Sequence, residues 1–325
     1  MNGADQFEIY RHFDMDAQIF YFAWLDEPVV SAMYFTGDLV PGPNWKVDYA
    51  ITKDDAVSTV FEFTIETPEG TLTKTMERND KMAWVTEYPI KEKEQIDLIR
   101  KYMPLPRPDI KTINETFEQM GDMGILRAGI FNHQGGCWQD ACNYFGAQRL
   151  IMETYDDPTW VHEFLGIILD YKLHFVDSLK GARIDMLENG GGDGCMSVIS
   201  PKIFAEYGVP YDKQTTAALH EIGIKTVYHT CGRMMAQLDL VKETGCDASE
   251  TLTVVAFNND NPSGTYDLFT AIAPQGYSIP AGDEGGALAN GMAVNGSWSI
   301  GDIDMFSLAV NPGDTVRLRL GDLTG

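Results

Sequence analysis

The chain has 325 residues in which 24 Lys and Arg face 48 Asp and Glu, a formal net charge of −24 at pH 7. That acidic excess argues against nucleic acid and anionic membrane as partners, because phosphate binding needs clustered Lys and Arg. Hydrophobic residues make up 44% of the sequence, enough for a sizeable core and too many for a disordered polymer. The length suits about two average domains, or one α/β barrel of roughly 250 residues with an appendage.

In chain order, the first ten residues carry Asp5 and Glu8 and lack the basic-then-apolar pattern of a signal peptide. No apolar run reaches the ~18 residues that span a bilayer. Val60–Arg78 reads as a hairpin turning at Thr67-Pro68-Glu69-Gly70. Helices are predicted over Lys91–Tyr102, Ile110–Met120, Trp138–Thr154, Trp160–Lys180, Pro201–Ile222 and Met234–Thr244. The clearest is Trp160–Lys180, where Val161, Phe164, Leu165, Ile168, Leu169 and Leu173 keep helical spacing. Asp156-Asp157-Pro158 precedes it, setting acidic residues and a proline at the positive end of the helix. Between the helices, Ile125–Phe131, Ile184–Glu188, Lys225–His229 and Asp247–Leu252 are short β-rich runs that suit buried parallel strands.

The composition changes near residue 253. From Val254 to Gly325 there is no Lys, Cys or His, while Gly occurs 11 times. Short alternating runs (Ser297–Ile300, Met305–Val310, Thr315–Leu320) lie between turn signals such as Asn311-Pro312-Gly313-Asp314. An antiparallel β segment is expected there, giving two domains, 1–253 and 254–325. Asp302, Asp304 and Asp314 read as turn formers, with a Ca2+ site as the alternative.

Five cysteines, an odd number, do not form a disulfide framework, and a reducing cytoplasm is the expected location. Cys137 and Cys142 are five apart on a predicted helix, about 140° around its axis, so they face one metal poorly and read as small core residues. Chemistry is better placed in Val227-Tyr228-His229-Thr230-Cys231-Gly232. His229 and Cys231, two apart at the carboxyl end of a strand, project to the same side. Imidazole and thiolate suit zinc, but His-x-Cys supplies only two of the three or four ligands required. The spacing alone leaves open a rim histidine beside a packed cysteine.

Further motifs surround this one. Asp185-Met-Leu-Glu-Asn-Gly-Gly-Gly-Asp193, Ile199-Ser-Pro-Lys-Ile-Phe204, Val209-Pro-Tyr-Asp-Lys213, His229-Thr-Cys-Gly232 and Thr244-Gly-Cys-Asp-Ala-Ser-Glu-Thr251 follow one another in that order. Glu66-Thr-Pro-Glu-Gly-Thr-Leu72 and Asp157-Pro-Thr-Trp-Val-His162 fit the same pattern. Over roughly residues 15–253 the chain resembles the uroporphyrinogen decarboxylase superfamily, in its methyltransferase-like branch with zinc-dependent corrinoid:thiol methyltransferases. The resemblance implies an α/β (β/α)8 TIM barrel with its site at the carboxyl ends of the strands. It implies His229 and Cys231 as zinc ligands, with Zn2+ as cofactor and a corrinoid, free or on a partner protein, as methyl donor. The runner-up, metal-free uroporphyrinogen decarboxylation, lacks its Arg-rich amino-terminal motif here. A third reading is a non-enzymatic barrel remnant with a β binding module.

Glu250 ends the next expected strand, as a further ligand, as a partner behind His229, or as a solvated loop carboxylate. Glu188 and Asp193, flanking the Gly190-Gly191-Gly192 run, and His133 in Asn132-His133-Gln134 are the catalytic candidates by position. The glycine run permits close backbone approach to a ligand but lacks the downstream Lys of a phosphate loop. His12, His162, His174 and His220 read as surface or packing residues. Two departures accompany the resemblance: the family's further zinc cysteine near the end of the barrel has no equivalent, since the last cysteine is Cys246, and about five of eight strands are expected, leaving the barrel incomplete. The carboxyl-terminal stretch Gly301–Val316 resembles a bacterial pre-peptidase C-terminal β-sandwich.

Overall fold

The computed structural model describes residues 6–13, 17–21, 36–80, 82–132 and 135–249, together with five strands between 263 and 320. The chain divides into two units, Met1–Thr251 and Leu252–Gly325.

The first unit begins with α1 (Gln6–Phe13) and β1 (Ala17–Tyr21), then an antiparallel sheet of β2 (Lys46–Asp54), β3 (Thr59–Thr67), β4 (Gly70–Arg78) and β5 (Ala83–Glu87) in that order. The expected hairpin is β3–β4, closed by Thr67 opposite Gly70. Strict alternation buries Phe61, Phe63, Ile65, Leu72 and Met76 on one face. Lys74 lies in the same row, its Nζ 2.7 Å from the buried Asp38 carboxylate.

The rest of the unit alternates helices and strands. α2 (Ile96–Tyr102) and α3 (Ile110–Met120) precede β6 (Gly124–Gly129); α4 (Cys137–Phe145), α5 (Ala147–Asp156) and α6 (Pro158–Ser178) precede β7 (Met186–Gly190). Next come α7 (Pro201–Ile203), a five-residue π stretch over Phe204–Gly208, and α8 (Val209–Glu221) before β8 (Lys225–His229). α9 (Leu238–Glu243) and β9 (Ala248–Ser249) complete it. β1, β6, β7, β8 and β9 form one parallel sheet in that order. This is the α/β architecture of a TIM-type barrel, incomplete and not closed among the described residues.

α6 is the spine of the core. Asp157 caps it by accepting from Trp160 N (3.1 Å), and Pro158 opens it. Its buried face carries Trp160, Phe164, Leu165, Ile168 and Phe175, each contributing about 1.5–3 kcal/mol by leaving water. The single helix expected over Trp138–Thr154 is two, because Gly146 takes φ +95° and breaks the run. A Cβ there would also lie 2.9 Å from the Tyr88 ring.

The second unit contains β10 (Ser263–Thr270), β11 (Gly285–Ala287), β12 (Ala293–Ser299), β13 (Met305–Ser307) and β14 (Leu318–Leu320). β10 pairs antiparallel with β12 and β14, as expected of this segment, but β11 and β13 pair parallel. Asp302, Asp304, Asp314 and most of Gly301–Val316 lie outside the described residues. No helix among the described residues is long and apolar enough to cross a membrane.

Candidate active site at the carboxyl ends of the parallel strands

Register decides which side chains can meet. Arg127 pairs with Met186, Glu188 with Val227, and Gly190 with His229, so these residues occupy one face of the parallel sheet. On the opposite face Tyr228 donates from its hydroxyl to Asp212 Oδ2 of α8 (2.9 Å), which marks that face as the one beneath the helices.

On the first face a continuous line of contacts crosses three strands. Arg127 of β6 pairs with Glu188 of β7. The other Glu188 oxygen, Oε1, stands 2.7 Å from Nδ1 of His229 on β8. His229 Nε2 in turn lies 3.0 Å from the Cys231 sulfur. Glu188 is fully buried, His229 is 8% exposed, and Cys231 opens to solvent. The Glu188 carboxylate and the Cys231 sulfur thus flank the two ring nitrogens of His229, one on each side. Partial burial, followed by the nearby Cys195 and Glu188 charges, pushes the Cys231 thiol up from its ordinary value.

Backbone contacts clip the loop after β7 to the loop after β8. Gly191 N donates to His229 O (2.8 Å), Met196 N to Arg233 O (2.7 Å), and Arg233 N to Ser197 Oγ (3.3 Å). The glycine run makes this possible: Gly190 has φ +122°, and a Cβ there would lie 2.4 Å from His229 O. The close approach expected of these glycines is therefore to the neighbouring strand and to Gln139 of α4. Gly232 is constrained similarly, because a Cβ would come 2.4 Å from the Cys195 sulfur.

The other sequence candidates are distributed unevenly. Asp193 turns its carboxylate onto Gln139 Nε2 (2.6 Å), while Asp193 N donates to Gln139 Oε1 (2.8 Å), fastening the loop to α4. Burial raises its carboxyl pKa, partly offset by that Gln139 hydrogen bond. His133 and Glu250 lie outside the described residues. Cys137 and Cys142 are buried in α4, and burial pushes both thiols well up. His162 meets the Tyr211 hydroxyl (2.8 Å), and His220 meets Asp247 (2.8 Å). Among the described residues no three His, Cys, Asp or Glu side chains surround a point that could hold a metal ion.

Sequence reasoning missed the support beneath the β6 loop. Lys172 of α6 donates to the Phe131 and Gly135 carbonyls and pairs with Asp140 of α4 (2.7 Å). Asn132, at φ +66°, donates from Nδ2 to Asp140 Oδ1 (2.9 Å) and accepts from Gly37 N (2.9 Å). Burial raises Asp140 to about 6, with Lys172 acting in the opposite direction. A lysine inside an apolar helix is the available sequence signal, since such a side chain stays buried only when paired.

The family model described as uroporphyrinogen decarboxylase (URO-D) matches residues 49–259. A methyltransferase from Methanosarcina mazei is similar in structure at 15% identity and TM-score 0.43, over 52% of this chain and 49% of its own. The chain thus spans about half the length of that protein. No curated protein matches the chain.

Proposed function

Because the chain belongs to the uroporphyrinogen decarboxylase family, we propose that its site carries out zinc-dependent methyl transfer from a corrinoid to a thiol or related acceptor. The observation that carries this reading is the line Glu188–His229–Cys231, with its 2.7 Å and 3.0 Å separations.

The donor set fits zinc as two of its ligands. His229 Nε2 and the Cys231 sulfur, both favoured by that metal, converge beside solvent. Behind the imidazole stands the carboxylate that commonly orients a metal-bound histidine. Bound zinc would lower the pKa of an acceptor thiol so that its sulfur is nucleophilic near neutral pH.

The protein's own residues handle position and charge. Glu188, 2.7 Å from His229 Nδ1, would set the direction of the ring. Arg127 pairs with Glu188 from the other side and offsets the charge of the buried carboxylate. The clip between the two loops holds Cys231 over the sheet edge, and its exposure leaves room for an acceptor. A corrinoid, when bound, would supply the methyl group; the acceptor thiol held beside the solvent-exposed Cys231 would lose its proton to water as its sulfur takes the methyl carbon and the carbon–cobalt electron pair is left on the corrinoid. Metal-free decarboxylation of a polycarboxylate is less well supported, since Arg127 on this face is already paired with Glu188. We place the reaction in the reducing cytoplasm, which suits five free cysteines.

Zinc content per chain, with and without the double substitution His229→Ala and Cys231→Ala, tests the proposal. Near-stoichiometric zinc that disappears in the double variant is expected. A folded wild-type chain that takes up no zinc would overturn it.

A further inference from the structure

Two cysteine-bearing turns meet where the loop after β7 touches the loop after β8. Cys231 opens to solvent, whereas Cys195 is 2% exposed, its backbone N donating to Gly192 O (3.1 Å). The Cys195 sulfur presses on Gly232, the residue following Cys231, so closely that a Cβ on Gly232 would lie 2.4 Å from it. From the other direction, a Cβ on Gly192 would lie 3.3 Å from Cys231 Cβ. The turns therefore touch at two points, each through a glycine. Three hydrogen bonds hold them there: Gly191 N to His229 O, Met196 N to Arg233 O, and Arg233 N to Ser197 Oγ.

We propose that Cys231 and Cys195 form a redox switch that closes a reversible disulfide when the protein meets a peroxide. An accessible thiol that reacts first, backed by a second thiol that resolves it, is the arrangement redox-sensing cysteines use. In the first step the Cys231 thiolate bonds one oxygen of hydrogen peroxide and the O–O bond breaks. The departing hydroxide leaves as water with the proton the thiol gave up. The Cys195 thiolate then bonds the sulfur of the resulting sulfenic acid and expels a second hydroxide, which leaves as water with the Cys195 proton. Two thiols thus lose two electrons and two protons, and the peroxide is reduced to two waters. In the reduced structure the Cys231 sulfur lies 3.0 Å from His229 Nε2. Turning that side chain to another staggered well releases the sulfur from the imidazole. Oxidation therefore takes Cys231 away from His229 and ties the two loops covalently. The bond needs only the two thiols, so it stands apart from the zinc reading.

The test treats the full chain with a chelator, so that both thiols are unligated, then with hydrogen peroxide, and maps its peptides without reduction. A Cys195–Cys231 crosslinked peptide that disappears on adding dithiothreitol is expected, while Cys137 and Cys142, buried in α4, stay reduced. Cys231 carried on to sulfinic or sulfonic acid beside a free Cys195 would overturn the proposal. So would a crosslink from Cys231 to any other cysteine, or five thiols left free. Removing the resolving thiol gives a second readout. In Cys195→Ser, and in Cys195→Ala measured alongside it, the sulfenic acid on Cys231 should accumulate, with dimedone labelling several-fold above wild type. Equal labelling of wild type and either folded variant would overturn the role of Cys195, and Cys246→Ser should leave the crosslink in place.

Discussion

Asp140 and Lys172 meet inside the first unit, carboxylate to ammonium at 2.7 Å, with 1% and 0% of their side chains exposed. They join α4 to α6 and hold the backbone of the β6 loop through the Phe131 and Gly135 carbonyls. A buried pair is costly to desolvate, and removing one partner strands the other charge. Lys172→Met should therefore destabilise the protein by about 3–5 kcal/mol in urea unfolding. Replacing Asp140 by Leu as well should recover part of that loss. A single-variant change within experimental error would mean that water reaches Asp140.

Asp212 gives a pH prediction. Burial raises its carboxyl from 3.8 to about 7, against the lowering effect of the Tyr228 hydrogen bond and the Lys172 charge. In that window the native state holds a proton that the unfolded chain has released. Its contribution to stability is therefore greatest at low pH and is lost as pH rises through about 7. Asp212→Asn keeps an acceptor for Tyr228 and removes the titration. The stability of wild type relative to this variant should fall steadily from about pH 4 to about pH 7, read from unfolding midpoints. A pH-independent difference would show that Asp212 does not hold the proton.

Glu188→Gln leaves the side-chain shape and removes the charge behind His229. Zinc affinity, measured by chelator competition, should fall about 10–100-fold with little change in the fold. Unchanged affinity would mean that Glu188 serves Arg127 alone.

Thiol reactivity separates the cysteines. Cys231 is exposed, Cys246 is half-buried, and Cys137, Cys142 and Cys195 are buried. Mass-spectrometric mapping after brief alkylation of metal-free protein should find Cys231 modified first. Its rate should climb as pH rises past neutrality, because its thiol is pushed up. Prior modification of Cys137 or Cys142 would contradict the packing of α4.

What the sequence disclosed follows from the range of each interaction. β8 occupies Lys225–His229 as read, and α6 runs Pro158–Ser178 against an expected Trp160–Lys180, because apolar spacing and an Asp-Pro start are local signals. β2 and β5 were not read from sequence: β2 is an edge strand whose apolar Tyr49 and Ile51 remain about half exposed. The break at Gly146 depends on Tyr88, and no spacing rule reaches that far. At the site, His229 and Cys231 came from their own spacing, and Glu188 from its place at a strand end. That Glu188 stands behind His229 required the β7–β8 register. The Asp140–Lys172 pair and the contact of Cys195 with Gly232 join residues tens of positions apart, beyond any local pattern.

The line from Arg127 through Glu188 and His229 to Cys231 runs across the strands, one residue from each of β6, β7 and β8 before it reaches the loop. Its integrity is therefore a matter of parity. An insertion of one residue within β7 ahead of Glu188 would turn that carboxylate toward α8 and present Leu187 or Asn189 to His229. The residue count inside each of these short strands is tied to the chemistry at their ends.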